Sequence, residues 1–237
     1  MNQLYGFIKD YMENLIFIAG TGKLANSIYR QLPVYLNNYY LDFWDNSAKY
    51  KQTAKVIIHV GSGRQLADLK DYCQKNKTPL IQASTGIKDE TKNYSFTFIE
   101  APNLSLLMLK FMYILRKNAE LFKDYDITIS ESHQSSKKSV AGTAFEIAEL
   151  LGVSTSSIES IREPEFQRKH LNIPEDFLSL HAYHHIKIKE QGSRIDFKTL
   201  IQGHDAYVKG LSKIIQCLGD LENRYYHILD LIEMKLI

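Results

Sequence analysis

An α/β fold built on a doubly wound parallel sheet is predicted by three features of this sequence. Apolar, β-rich runs alternate with helix-periodic segments in the order βαβαβαβ through Glu100. A glycine-rich turn, Gly20-Thr21-Gly22-Lys23-Leu24-Ala25, lies between the first run and the first long helix. Beyond Leu178 the pattern becomes apolar/polar alternation on both sides of Gly192, which predicts a further region of mixed strands.

Taken in order, residues 1–13 carry Leu4, Phe7, Ile8 and Tyr11 at helical spacing and read as an amphipathic lead-in. Leu15–Ala19 reads as a buried parallel strand ended by glycine. In the turn that follows, the first glycine permits a tight bend and the second lets backbone approach a pyrophosphate. Ala25 allows the helix, continued by Ile28 and Leu32, to sit close to the strand. A Rossmann-like dinucleotide site on Gly20, Thr21, Gly22, Lys23, Leu24 and Ala25 is therefore expected; an ordinary βα turn is the alternative. The second strand, Tyr39–Trp44, ends at Asp45, where an acid would read a ribose diol and repel a 2′-phosphate. That favours NADH over NADPH, with Lys49 and Lys51 acting against the preference and Asp42 as the second candidate reader. Either acid also fits a simple strand-end turn.

A third strand, Lys55–Val60, runs into Gly61-Ser62-Gly63-Arg64, whose arginine suits a cofactor phosphate or the polar face of the next helix, Gln65–Lys75. His59 fits a strand-end histidine better than a catalyst. Strands Pro79–Ala83 and Phe96–Glu100 follow, each leading into small polar residues: Ser84-Thr85-Gly86, then Ala101-Pro102-Asn103. Leu104–Phe122 reads as a long apolar helix, too interrupted by Lys110, Arg116 and Lys117 to span a membrane. A strand over Asp126–Ser130, a polar loop and a helix over Ala144–Leu151 come next. Ser154–Pro174 reads as turn-rich, and Leu178–His185, Ile186–Lys189 and Arg194–Phe197 as strands joined at Gln191–Ser193. Helices over Gly203–Leu218 and Leu221–Met234 complete the chain.

With 237 residues, 44% hydrophobic and 24% charged, the chain has an ordinary globular composition. A net charge of +2 gives no reason to invoke nucleic acid or an acidic membrane. No run of apolar residues reaches the length of a membrane span, and the first fifteen residues lack the apolar core of a signal peptide. Cys73 and Cys217 lie far apart without metal-ligand spacing, so reduced core thiols and a cytoplasmic protein are expected. His181, His184 and His185 cluster without a carboxylate or cysteine at ligand spacing, and no metal is expected there.

The loop after Asp126–Ser130 carries Glu131, His133, Gln134, Lys137 and Lys138, and it ends at Gly142-Thr143 before the helix. An imidazole and an ammonium four residues apart, ahead of a helix N-terminus, suit an anionic ligand; a solvated connecting loop is the plain alternative. The stretch resembles the dihydrodipicolinate reductase signature Glu-x-His-His-x-x-Lys-x-Asp-Ala-Pro-Ser-Gly-Thr-Ala, matched by Glu131, His133, Lys137, Gly142, Thr143 and Ala144. It departs from it at Gln134, which replaces the second histidine, and at Ser139-Val140-Ala141, one residue shorter than Asp-Ala-Pro-Ser. Ala101-Pro102-Asn103-Leu104-Ser105 also resembles the family's Ala-Pro-Asn-Phe-Ser.

The resemblance implies a dinucleotide domain over 1–103 and 207–237, with a second α+β domain over 104–206 whose open mixed sheet builds a homotetramer. It implies NADH- or NADPH-dependent reduction of the cyclic imine derived from 4-hydroxy-tetrahydrodipicolinate, a small dicarboxylate, on the route to diaminopimelate and lysine. His133 would be the acid and Lys137 its charged assistant, with Glu131 orienting the loop or the imidazole. Gln134, Gly142 and Thr143 would meet the substrate. His59, Val60, Gly61, Ser84, Thr85, Ala101, Pro102 and Asn103 would join Asp45 and the glycine turn around the nicotinamide. A nucleotide-binding or regulatory relative without the reaction, or a reductase of another small substrate, are the rival readings.

Overall fold

The computed structural model describes residues 14–84, 92–138 and 140–237. They divide into two compact units, the first ending at Leu106 and resuming over Tyr207–Ile237, the second over Leu107–Ala206. The lead-in over 1–13 and Thr85-Gly86 lie outside the described residues.

The first unit begins with β1 (Leu15–Ala19), every residue of which is buried. Helix α1 (Lys23–Tyr35) packs Ala25, Ile28 and Leu32 inward, the 3.6-residue spacing of one apolar face. Strand β2 (Tyr40–Phe43) is shorter than expected, because Trp44–Lys49 turns into a 3₁₀ helix. Asp42 drives that turn: its carboxylate accepts from the Phe43 amide at 2.7 Å, Asn46 Nδ2 at 2.7 Å and the Tyr50 hydroxyl at 2.6 Å. Strand β3 (Val56–His59), helix α2 (Leu66–Asn76), β4 (Leu80–Gln82) and β5 (Phe98–Glu100) follow. Phe17, Ile57, Leu69, Cys73, Leu80, Phe96 and Phe98 pack together as one core. Burial there pushes the Cys73 thiol up to about 12, so it is an inert core group.

The second unit opens with α3 (Leu106–Asn118), which passes into a 3₁₀ turn over Ala119–Phe122. Strand β6 (Asp126–His133) runs three residues beyond the expected end and takes Glu131 and His133 out of the loop. The extension is held from both sides, by β8 through Glu131↔His184 and His133↔Ala182, and by β7 through Glu131↔Ser160. Helix α4 (Gly142–Leu150) starts two residues before Ala144. The stretch expected to be turn-rich contains β7 (Glu159–Ile161) and α5 (Pro164–Leu171), the latter capped by Glu163 and started by Pro164. Strands β8 (His181–Glu190) and β9 (Ser193–Gln202) form one long hairpin, giving a mixed sheet of order β7-β6-β8-β9. On the outer strand Ile195 and Leu200 are exposed.

The chain then returns to the first unit with α6 (Asp205–Gln216), β10 (Tyr225–His227) and α7 (Ile228–Glu233). The expected single helix over Leu221–Met234 is therefore wrong in its first half. Tyr225-Tyr226-His227 instead pairs in parallel with Phe98–Glu100, and Tyr225 stacks on Phe98. The six strands, all parallel, lie in the order β10-β5-β4-β3-β1-β2. Beside β1, β2 lies on one side and β3 on the other, so the strand order reverses at β1. A ligand crevice opens at such a point, beyond the carboxyl ends of the strands.

One close approach sets the seat of α6. A Cβ on Gly210 would lie 1.8 Å from the Leu104 carbonyl oxygen, whereas one on Gly219 would meet nothing within 4 Å. Gly210→Ala is expected to lower stability by about 1–3 kcal/mol, the range for forcing volume into a packed contact. Gly219→Ala should change little; urea unfolding of the two variants against the wild type checks both.

Candidate active site

Beyond the ends of β1 and β3 is a cleft of about 420 Å³ lined by Gly20, Thr21, Gly22, Asp45, His59, Val60, Gly61, Ser62, Arg64 and Gln65. Gly20 is obligatory for the chain itself: its φ is +139°, and a Cβ would sit 2.9 Å from the Val60 carbonyl. Gly22 is different, since a Cβ there would meet nothing within 4 Å. The chain's own packing does not call for a glycine at that position, but backbone approach by a ligand does. Helix α1 starts there with no side-chain cap and no acid in its first turn, leaving its first amides to an anion. These features fit a dinucleotide pyrophosphate.

Asp45 lines the cleft from the 3₁₀ helix, its Oδ1 accepting from Gln65 Nε2 at 2.6 Å. Asp42 is not available as the alternative ribose reader, because its oxygens are committed to Tyr50, Asn46 and Phe43. His59 is a support beneath the loop. It is 1% exposed, its Nδ1 lies 3.3 Å from Gln82 Oε1, and burial lowers its pKa. Ser84 donates from its hydroxyl to the Gly61 carbonyl at 2.7 Å and so steadies the same loop. Lys23, Leu24, Ala25, Ala101, Pro102 and Asn103 do not line the cleft. Asn103 instead accepts from the Ser105 amide at 2.8 Å and shapes the turn into α3. Ser62 and Gln65 were missed by sequence reasoning; their position in the β3–α2 loop, at the strand-order reversal, was the available signal.

In the second unit, Glu131 is fully buried on β6 and surrounded by donors. One oxygen accepts from Ser160 Oγ at 2.6 Å and from Arg162 Nη2; the other accepts from Arg162 Nη1 at 3.2 Å and His133 Nδ1 at 2.6 Å. Burial would push the carboxyl up, but the bonds from His133, Arg162 and Ser160 outweigh it and hold it at about 2. An ionised carboxylate only accepts, so Nδ1 of His133 carries a hydrogen and donates it in this bond. His133 itself is partly exposed.

Two neighbouring imidazoles play another part. The ring of His181 stacks at 6.4 Å on that of His133, and the ring of His184 stands edge-on at 5.9 Å. Burial holds His184 down at about 3, and His181 is lowered for the same reason. His181 donates from Nδ1 to the Phe177 carbonyl, so its Nε2 accepts from Ser132, which in turn accepts from Gln167 Nε2. His185 pairs with Asp196 at 2.5 Å. Among the described residues, no group of three or more His, Cys, Asp or Glu is placed to hold a metal.

Beyond His133 the chain makes a turn in which the Lys137 amide donates to the Gln134 carbonyl at 3.0 Å. Helix α4 then begins at Gly142 with no side-chain cap, Thr143 is buried, and the helix packs on β6. His133, Gln134, Lys137, Gly142 and Thr143 thus fall on one strand end and the segment leading to one helix N-terminus.

A family model described as dihydrodipicolinate reductase, C-terminus, matches residues 108–232. The chain belongs to the dihydrodipicolinate reductase family. The chloroplastic 4-hydroxy-tetrahydrodipicolinate reductase 1 of Arabidopsis thaliana is 26% identical over 208 residues, covering 77% of this chain and 58% of that protein. The 4-hydroxy-tetrahydrodipicolinate reductase of Campylobacter concisus (strain 13826) is 30% identical over 108 residues, 43% of this chain and 42% of that one. This member of the family therefore spans little more than half the length of the plant relative. A solved dihydrodipicolinate reductase from Paenisporosarcina sp. TG-14, with dipicolinate bound, superposes with a TM-score of 0.63 at 16% identity, covering 92% of this chain and 99% of that one. Its fold is shared, including the parallel six-stranded sheet and the mixed four-stranded sheet. Among the described residues no helix is long and apolar enough to cross a membrane.

The Glu131 assembly carries a pH signature. Its folded carboxyl, at about 2, lies below the ordinary 4.5, so its stabilisation is complete above pH 4.5 and lost as pH falls towards 2. Glu131→Gln should cost about 3–5 kcal/mol at neutral pH, the range for breaking a buried ion pair from one side. Denaturant titrations across pH should show that gap narrowing between pH 4.5 and 2; a constant gap would mean that Glu131 is not held ionised.

Proposed function

We propose that this chain is a nicotinamide-dependent oxidoreductase that reduces the cyclic imine derived from 4-hydroxy-tetrahydrodipicolinate, a step towards diaminopimelate and lysine. The observation that carries the reading is the pairing of partly exposed His133 with the buried Glu131 carboxylate at 2.6 Å, at the end of the strand that leads into the loop bearing Lys137. A solvated connecting loop has no use for a carboxylate with no exposure at all.

The cofactor would be held by Gly20, Gly22 and the first amides of α1 at its pyrophosphate, and by Asp45 at a ribose. When bound it supplies hydride to a ring carbon of the substrate. His133 supplies the proton from Nε2 to the adjacent carbon, and Glu131 stabilises the imidazolium before transfer and keeps Nδ1 protonated throughout. Lys137 supplies a fixed positive charge against a substrate carboxylate, and Gly142-Thr143 offers the amides of the α4 N-terminus and a hydroxyl. Asp45 in the cleft supports NADH over NADPH, since its carboxylate would repel a 2′-phosphate.

Calorimetric titration should give NADH binding at least as tight as NADPH, and Asp45→Ala should weaken NADH by about 1–3 kcal/mol. A clear NADPH preference would remove Asp45 as the ribose reader. Turnover of the imine, generated in situ by the preceding synthase reaction and followed through NADH absorbance, tests the activity. His133→Ala and Lys137→Ala should each lower kcat by roughly 10²–10⁴-fold while NADH binding is unchanged. Thr143→Val should raise KM more than it lowers kcat. Near-normal turnover in both the His133 and Lys137 variants would sink the assignment, and a wild type that binds NADH without turnover would favour a relative that has lost the reaction.

A further inference from the structure

Sequence reasoning assigned no role to Arg162, which follows β7 where the strand leaves the sheet. Its guanidinium makes contacts of two kinds. Nη1 and Nη2 take the two oxygens of Glu131 as a fork, the arrangement that a planar guanidinium matches and an ammonium does not. Its Nε donates at 3.0 Å to the main-chain carbonyl of Lys137, and Nη1 also donates at 3.0 Å to the carbonyl of Ile161. At least four of its five N–H donors are thus committed to the chain itself, so its charge serves the protein and not an incoming carboxylate.

We propose that Arg162 is a positioning residue that sets His133 and Lys137 relative to each other, one guanidinium fixing both the carboxylate behind the imidazole and the main chain that carries the ammonium. The inference rests on the reading of this loop as the reacting site. The two groups lie on different kinds of structure: His133 ends a strand with partners on both sides, whereas Lys137 sits beyond a turn, on a loop. A lysine at the end of a flexible stem is useful to a placed acid only if its backbone is tied down, and the Arg162 Nε bond to its own carbonyl is such a tie. The same fork acts with His133 and Ser160 to keep Glu131 ionised, so one side chain reaches both the carboxylate behind His133 and the seat of Lys137.

Arg162→Lys tests this, because it keeps a cation beside buried Glu131 and so the fold, but a single ammonium cannot also hold the Lys137 carbonyl. The variant should melt close to the wild type while kcat falls by about 10²-fold, the scale of a small misplacement of reacting groups, with KM changing less. In a Lys137→Ala background the same substitution should cost only a few-fold, because the residue it positions is already gone. An equal loss in both backgrounds, or wild-type turnover by Arg162→Lys, overturns the proposal. Should the wild type fail to reduce the imine, the functional reading falls and proton NMR decides this one separately. The low-field resonance of the His133 Nδ1–H should move or broaden in Arg162→Lys and persist in Lys137→Ala, and an unchanged resonance in both overturns it.

Discussion

A carboxylate with no solvent exposure stays ionised only if its lone pairs are filled by donors, and that constraint organises the second unit. Glu131 meets it with His133 from its own strand and with Ser160 and Arg162 from β7 and the residue that follows it. Each donor has its own structural requirement. Strand β7 must pair with β6 for Ser160 to stand opposite Glu131, and the chain must leave β7 at Ile161 for Arg162 to turn back across the loop. The mixed sheet is thus the means by which one buried charge obtains its partners, and removing any one of them leaves a charge in a low-dielectric site.

The histidines around that charge show how environment separates identical side chains. His181 and His184 are buried, and desolvation disfavours their charged forms. His133, a few ångströms away, keeps some exposure and has a carboxylate at Nδ1. Two of the three therefore act as neutral spacers and hydrogen-bond links, whereas the third is paired to the carboxylate. The pairing in the sheet decides which is which, since it places His184 opposite Glu131 inside the sheet and His133 at the strand's end.

Much of the first unit was legible because short-range rules govern it. A run such as Leu15–Ala19 is apolar throughout because it is covered on both faces, and the glycine turn after it answers to backbone geometry. His133 and Lys137 were legible by resemblance, through a pattern that survives at Glu131, Gly142 and Thr143 as well. What escaped depends on distant partners. Tyr225-Tyr226-His227 is a strand only because Phe98–Glu100 offers an edge, and its residues equally satisfy a helical period. Helix α5 has few apolar residues and was passed over despite Pro164 and the Glu163 cap. Arg162 carried no local signal, since nothing near Glu131 in sequence shows that the two will meet.

The late return of β10 to the edge of the six-stranded sheet has a consequence for biosynthesis. Its partner β5 ends at Glu100, so the two pairing segments leave the ribosome more than a hundred residues apart. Until Tyr225–His227 has been translated, β5 presents an unsatisfied row of amides and carbonyls beside the buried rings of Phe96 and Phe98. Such an edge is a template for pairing with other chains. The mixed sheet has no such dependence, as β6 to β9 are complete by Gln202. The nascent chain can therefore close its second unit while its first is still open, and vulnerability to aggregation during synthesis is concentrated in that interval.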